Sequence, residues 1–497
     1  MNNSIKIGWG MRDITPPRPC LVGGQMYMRI AYTAMDPVTT TALTLDCGGD
    51  SVIFVSIDKE GCRGGFLDNL RAKVSSLCPE IDVNKIVMFA THSHTTPSMT
   101  SNKAVEELIP EEAGDVMRPA EVAEYIIGKT AEAVIESYQN RAEGGYAYGY
   151  GFATAGHSRR VIYSRDLSVG AETTDSMHAV NGFCQMYGNT KDVDFLGYES
   201  GTESFLYALF TYDADGKMTG VVVNVPCPSQ CSEQRNELSA DYWHDVRVAV
   251  KKRFGDIYVL PQCASAGDLS PRQLHYLEAE KRRFELKYGE GTEIDIGRRR
   301  DIAERIVAGL SEIESWVSAD IRTETTLKHS VVEFELERQM ITEQQYKDAL
   351  AGYEEAKDKV VKLKGEWYED FKRKTRKLTG LARYTNIIRA YEQQKTVKSI
   401  PMECHVIRLG DIAFATNRFE LFMDYEQRIQ ARSPAKQTFV IQLTAVPGMD
   451  GGSYLPTAKG KANKGYSASI FDCRVDAAGG AILVEKTLEE LNNLFAE

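Results

Sequence analysis

The sequence predicts an α/β protein, mixed β-sheets packed with helices, carrying a mostly helical insertion. Three observations predict it. Over the first 270 residues, short apolar or β-branched runs alternate with stretches of helical spacing, the pattern of a sheet covered by helices. From Pro271 to about Lys398 the composition turns to Glu, Lys, Arg and Leu with few helix breakers. After that the strand pattern returns. The expected division is therefore residues 1–270 and 400–497 as one α/β body and 271–399 as the insertion. At 497 residues the chain exceeds the usual single-domain size, which suits a body plus an insert.

The elements follow in order. Ala42–Asp46 and Ser51–Asp58 flank Cys47-Gly48-Gly49-Asp50 and read as a hairpin. Phe66–Leu77 has helical spacing, Lys85–Ala90 is a short apolar run suited to a buried strand, and Ala120–Tyr138 is a helix with one apolar face. Phe205–Tyr212 and Met218–Val225 form a second strand pair, followed by a helix over Leu238–Arg253 and a strand at Ile257–Leu260. Within the insertion, Leu274–Lys287, Arg298–Val317 and Thr342–Lys374 read as long amphipathic helices, with Val331–Glu337 a strand between them. A solvated charged face is the plain reading of such a stretch; a lid or dimerisation arm is the sharper one. Strands at Cys404–Arg408, Ile412–Thr416 and Thr438–Leu443 and a helix at Leu488–Phe495 complete the chain.

Hydrophobic residues at 43% and charged residues at 26% give ordinary globular composition with material for a core. A formal net charge of −11 with interspersed basic residues argues against nucleic-acid or anionic-membrane partners, which need a basic face. No apolar run of roughly 18 residues appears, so no transmembrane segment is expected, and the start lacks a signal-peptide pattern. Ten scattered cysteines read as free thiols in a cytoplasmic protein. The partner expected is a small-molecule substrate; the long helices leave room for a homo-oligomer.

Four segments carry chemistry. Thr91-His92-Ser93-His94 follows the strand Lys85–Ala90. Histidines at i and i+2 on extended backbone share a face, so both can address one pocket, one on a metal and the other on a proton or substrate group; polar loop residues are the alternative. Gly267-Asp268-Leu269-Ser270-Pro271-Arg272 also follows a strand. Pro271 fits the first position of a helix, which would set Ser270 where backbone N–H groups stabilise an oxyanion; equally, Asp268 or Ser270 would merely cap that helix. Glu420 lies in an apolar stretch and needs a partner there, a metal or a salt bridge. Tyr454 and Tyr466 follow glycine-containing turns, where spacing alone gives no mechanism.

Together these pieces resemble the neutral, or alkaline non-lysosomal, ceramidase family, in the same chain order. The motifs are Gly8-Trp9-Gly10-Met11-Arg12-Asp13-Ile14-Thr15-Pro16-Pro17, Thr91-His92-Ser93-His94-Thr95-Thr96-Pro97, His157-Ser158-Arg159-Arg160, Gly267–Arg272, Arg418-Phe419-Glu420, and Tyr454-Leu455-Pro456-Thr457 with Tyr466 twelve residues after Tyr454. The resemblance covers most of the chain outside roughly 275–400 and implies the fold of that family's catalytic domain. It also implies a hydrolase in which zinc is held by two His, a Glu and a Tyr while a serine attacks an amide. Carried over, His92, Glu420 and Tyr454 would be metal ligands and Ser270 the nucleophile. His94, Arg159 and Tyr466 would orient the scissile group and steady its negative charge, with Asp268 in the nucleophile turn.

One ligand departs. The family's second zinc histidine falls on Pro228 here, within Asn224-Val225-Pro226-Cys227-Pro228-Ser229-Gln230-Cys231. Three outcomes follow: Cys227 or Cys231 supplies a thiolate, which zinc accepts; His244 or a water fills the place; or the metal is lost. A buried, inert core thiol is the plain reading of Cys227. The expected function is a metal-dependent amide hydrolase. Two alternatives stand beside it. One is a hydrolase of a sugar-containing small molecule with an altered metal site and carboxylates such as Asp241, Glu420 or Asp268 doing acid–base work. The other is a non-catalytic binding protein.

Overall fold

The computed structural model describes residues 3–169, 181–448 and 452–496. Eight strands form the main sheet: β1 (Lys6–Asp13), β2 (Thr39–Cys47), β3 (Asp50–Ile57), β4 (Ile86–Ala90), β5 (Ala142–Phe152), β6 (Phe205–Asp213), β7 (Met218–Val225) and β8 (Tyr258–Cys263). Their order is β8-β7-β6-β5-β1-β2-β3-β4. Four more, β9 (Leu327–Glu337), β10 (Ser399–Leu409), β11 (Ile412–Thr416) and β12 (Gln437–Ile441), form a second sheet in that order. The hairpin expected from the Cys47–Asp50 turn is β2–β3, antiparallel.

Four layers stack as helix, sheet, sheet, helix. Helices α1 (Phe66–Leu77), α2 (Pro119–Gln139), α3 (Tyr242–Phe254), α4 (Leu277–Tyr288) and α5 (Ile294–Val317) lie on the outer side of the main sheet. There Leu70, Val74, Ile126 and Val134 bury Ile53, Val55 and Met88, and Trp243, Val246, Ile306 and Leu310 bury Phe210, Val221 and Val223. The alternate residues Phe54, Val87, Leu209 and Val222 face the second sheet through Ile407, Phe414 and Phe439. Strands such as β3 read as nearly continuous apolar runs because both faces are covered. Two helices further along, α6 (Glu343–Asp358) and α7 (Trp367–Gln393), form a hairpin. Helices α8 (Met423–Arg432) and α9 (Ala477–Ala496) cover the far side of the second sheet. Gly8 and Gly10 let α2 lie directly on β1: a Cβ at these positions would sit 2.0 Å from the Ser137 carbonyl oxygen and 2.2 Å from that of Ala133.

The main sheet is joined at its middle only by Lys6–Ile7 against Ala142–Glu143. It folds there into two four-stranded halves, and the edge strand β8 comes to lie against β3, where the Ser56 hydroxyl donates to the Pro261 carbonyl at 2.7 Å. Only the outermost pairs, β3–β4 and β7–β8, are parallel. The loops leaving β4 and β8 therefore meet, and these loops carry His92 and Ser270.

The stretch 271–399, expected as an insertion, is divided in its role. Helix α5 packs on β5 and β6, and β9 pairs along its whole length with β10, from Leu327 opposite Leu409 to Glu337 opposite Ser399. Both are built into the body. The α6–α7 hairpin is the part that stands apart, and Thr342–Lys374, read as one helix, breaks between α6 and α7. Helix α7 straps the two ends of the chain. The Tyr368 hydroxyl bonds the backbone of Ile30, the Met28 amide donates to the Thr375 hydroxyl at 3.0 Å, and Arg383 pairs with Asp472 at 2.9 Å. All ten cysteines are free and buried. Among the described residues no helix is long and apolar enough to cross a membrane.

Candidate active site

The His-Ser-His loop leaves β4 with a sharp change of direction. His92 takes a left-handed φ of 64°, a conformation non-glycine residues adopt rarely. The two imidazoles share a pocket, with ring centroids 4.8 Å apart and edge to face, but through this turn rather than the strand alternation that the i, i+2 spacing suggests. His92 Nδ1 lies 2.5 Å from the Glu60 carbonyl oxygen, which fixes Nδ1 as the protonated nitrogen. Nε2 then presents its lone pair 3.2 Å from Glu420 Oε2.

Glu420 arrives from the second sheet, just after β11, on a two-residue strand paired in parallel with Tyr454–Leu455. That pairing sets the Glu420 and Tyr454 side chains side by side. Arg159 closes the group: its Nη2 donates to the Tyr454 hydroxyl at 3.1 Å and to the Gly267 carbonyl at 2.8 Å, and lies 3.7 Å from Glu420 Oε2. Burial raises the Glu420 carboxyl, and positive charge beside it, on a protonated His92 and on Arg159, lowers it. Burial drives the Tyr454 phenol well above its ordinary value against the pull of Arg159. The Tyr466 ring stands 5.7 Å from that of Tyr454, edge to face.

Ser270 does not begin a helix. Leu269–Ser270 pair antiparallel with His157–Ser158, and the next helix, α4, starts only at Leu277, so the helix N-terminus expected behind the serine is absent from that place. Strand pairing won over the Pro271 signal. The donors to Ser270 Oγ are instead the Tyr187 hydroxyl at 3.3 Å and the Arg272 backbone N–H at 3.2 Å, which favour negative charge on that oxygen. Tyr187 also accepts from Arg159 Nη1 at 3.5 Å and so links the serine to the Glu420–Tyr454 group. Gly267 permits the close approach: a Cβ there would lie 2.3 Å from the Glu420 carbonyl oxygen.

Two expected site residues do not join. The Asp268 carboxylate accepts from the Met423 amide at 3.0 Å and so caps α8; it is a scaffold residue whose carboxyl burial raises. The Cys227 thiol lies in the core between β6–β7 and helices α3 and α5 and contacts the Pro228 carbonyl at 3.6 Å. Burial lifts it well above an ordinary thiol, and it makes no hydrogen bond to His92 or Glu420 among the described residues. The thiol lies in the core, as its plain reading had it. Asp241, in the retained Ser-x-Asp segment, accepts from the amides of Cys231, Ser232 and Tyr242 at 3.1, 2.7 and 2.8 Å and shapes the turn before α3.

That turn carries the residues the sequence did not signal. Gln230 Nε2 lies 2.8 Å from His94 Nε2, Glu233 Oε2 is 3.4 Å from His94 Nδ1, and Arg272 pairs with the same carboxylate. Burial would raise Glu233, yet the neighbouring His94 and the charge of Arg272 hold it at about 2. Burial lowers His94 itself, against Glu233. The bare positions of a Gln and a Glu in a polar loop give no periodicity to read.

The donor set can be tested for a metal. His92 Nε2 is buried without a hydrogen-bond partner, and its contact with Glu420 lacks hydrogen-bond alignment. Two tetrahedral ligands with bonds of about 2 Å subtend roughly 3.3 Å, close to the 3.2 Å found between these atoms. Tyr454 supplies a third donor, its phenol oxygen. Among the described residues no group of three or more His, Cys, Asp or Glu gathers as a cage, so the site depends on the tyrosine. One nitrogen and two oxygens with an open position fit a zinc of the catalytic type.

No protein-family model matches the chain, and no curated protein matches it in sequence. In structure it is similar to the neutral ceramidase from Pseudomonas aeruginosa, at 14% identity and a TM-score of 0.65, over 99% of this chain and 75% of that one. A ceramidase complexed with C2 is similar at 13% identity and a TM-score of 0.64, over 99% and 76%. The resemblance seen in the motifs thus extends to the backbone, and the chain has a ceramidase-like α/β fold.

Proposed function

We propose that this chain is a ceramidase-like hydrolase that cleaves an amide-type bond, with Ser270 as nucleophile and a zinc held by His92, Glu420 and Tyr454. The observation that carries the reading is the unbroken set of contacts from His92 through Glu420, Tyr454, Arg159 and Tyr187 to Ser270, drawn from six separate chain segments. When bound, zinc would act as a Lewis acid on the scissile carbonyl. Arg159, with its guanidinium fixed by the Gly267 carbonyl, offers N–H donors to the oxygen on which charge develops. Tyr187 and the Arg272 amide stabilise the Ser270 oxygen as it becomes a nucleophile. His94, braced by Gln230 and Glu233, orients the scissile group.

Attack of Oγ on the carbonyl carbon expels the amine, which leaves with the hydroxyl's proton. Water then releases the acid from the acyl-serine and restores the hydroxyl. Ten free thiols support a reducing, cytoplasmic setting. The test is turnover of N-acyl 4-nitroanilides by wild type and Ser270→Ala, with folding checked by circular dichroism. Loss of roughly three orders of magnitude in kcat is expected; unchanged turnover overturns the role of Ser270.

A further inference from the structure

A cavity of about 510 Å³ opens at Arg272, two residues after the serine, with Ser232, Gln234, Arg235, Asp295 and Arg298 in its wall. It reaches the reacting group through Arg272. The Arg272 amide donates to Ser270 Oγ, and the Arg272 guanidinium lies over the ring of Tyr187, 5.5 Å from its centroid. Three arginine side chains share this wall with the Asp295 carboxylate, Ile294 and Cys231.

Each of the three arginines is braced by a carboxylate, Arg298 and Arg235 along one edge and Arg272 through one nitrogen. Arg298 spends Nε and Nη2 on Glu280 at 3.1 and 2.5 Å. Arg235 spends Nε and Nη2 on Asp295 at 2.7 and 3.0 Å, with Glu293 beside it. Arg272 spends Nη2 on Glu233. In each, Nη1 makes no hydrogen bond within the described residues. A guanidinium held along one edge has already lost its side-chain freedom, so its remaining N–H groups can meet a planar anion at little entropic cost.

We propose that this cavity is an anion subsite, and that the substrate carries a carboxylate or phosphate which Arg235, Arg272 and Arg298 receive while the scissile bond lies at Ser270. The subsite rests on the hydrolase reading for its role in turnover but not for its binding. It separates this chain's substrate from an uncharged lipid amide.

The experiment uses two matched probe pairs: glutaryl against pentanoyl 4-nitroanilide, with the charge on the acyl side, and 4-acetamidobenzoate against acetanilide, with the charge on the amine side. A phosphonate replacing the carboxylate tests the second anion. Binding is measured by calorimetry on Ser270→Ala, and turnover on the wild type. In at least one pair the anionic member is expected to bind about tenfold or more tightly, the size of one charge-assisted hydrogen bond. That ratio should shrink to within about threefold in Arg298→Gln and in the more exposed Arg235→Gln. Equal binding within both pairs, or a ratio unmoved by both variants, overturns the subsite even where turnover is seen. Preferential binding of the anion without turnover by the wild type keeps the subsite and overturns the hydrolase.

Discussion

His92 Nε2 and Glu420 Oε2 stand 3.2 Å apart without hydrogen-bond alignment, while His92 Nδ1 is committed to the Glu60 carbonyl. Two lone-pair donors so placed repel unless a cation lies between them, and the pair is buried, where that repulsion is poorly screened. Protein prepared in metal-free buffer should therefore carry about one zinc per chain by elemental analysis. His92→Ala and Glu420→Gln should lose it, and a chelator should lower the melting temperature of the wild type alone. A wild type without metal that is indifferent to zinc and chelator would leave a histidinium–carboxylate pair in its place.

Glu233 ties His94 to Arg272, and its carboxyl is held at about 2 against an ordinary 4.5. A depressed carboxyl adds stability that is present above about pH 4.5 and lost as the pH falls through about 2. Glu233→Gln should cost about 2–3 kcal/mol at pH 7, and the gap to wild type in urea unfolding should narrow by pH 3. A gap that stays constant with pH would show that the loss is one of packing rather than charge.

Glu426 behaves in the opposite sense. Buried on α8, it accepts from the Ser265 amide at 2.6 Å, and burial raises its carboxyl to about 7 against an ordinary 4.5. A raised carboxyl adds stability that is present below about pH 4.5 and lost as the pH rises through about 7. Glu426→Gln, which keeps an acceptor for Ser265 without the charge, should be the more stable protein at pH 8, by up to about 3 kcal/mol. It should lose that advantage at pH 4.5. Melting curves at the two pH values decide it.

Much of this structure was legible beforehand, for identifiable reasons. The β2–β3 hairpin showed because β-branched runs flank a glycine turn, and α1 showed because its apolar residues recur at helical spacing and its bounds coincide with those expected. Strand β5 was not legible. Gly144, Gly145, Gly149 and Gly151 interrupt its apolar run, and in the fold Gly149 makes room for Trp316, whose ring a Cβ would approach to 2.5 Å. In the site, His92, Glu420 and Tyr454 could be named from motif order, and the structure brings them together with Arg159. Glu233, Gln230 and Tyr187 could not, because their roles come from a turn held by Asp241 and from a loop whose partners lie far away in the chain. Asp268 and Cys227 both sit in motifs, and in the fold burial and a nearer backbone partner claim their side chains.

The two-residue joint in the main sheet has a consequence for how the molecule assembles. Neither half owns a complete reaction centre, since the histidines leave one half, the serine the other, and the carboxylate a different sheet altogether. Such a centre exists only after the most distant contacts have closed, so this topology should fold slowly, and proteolytic halves should retain local structure without chemistry.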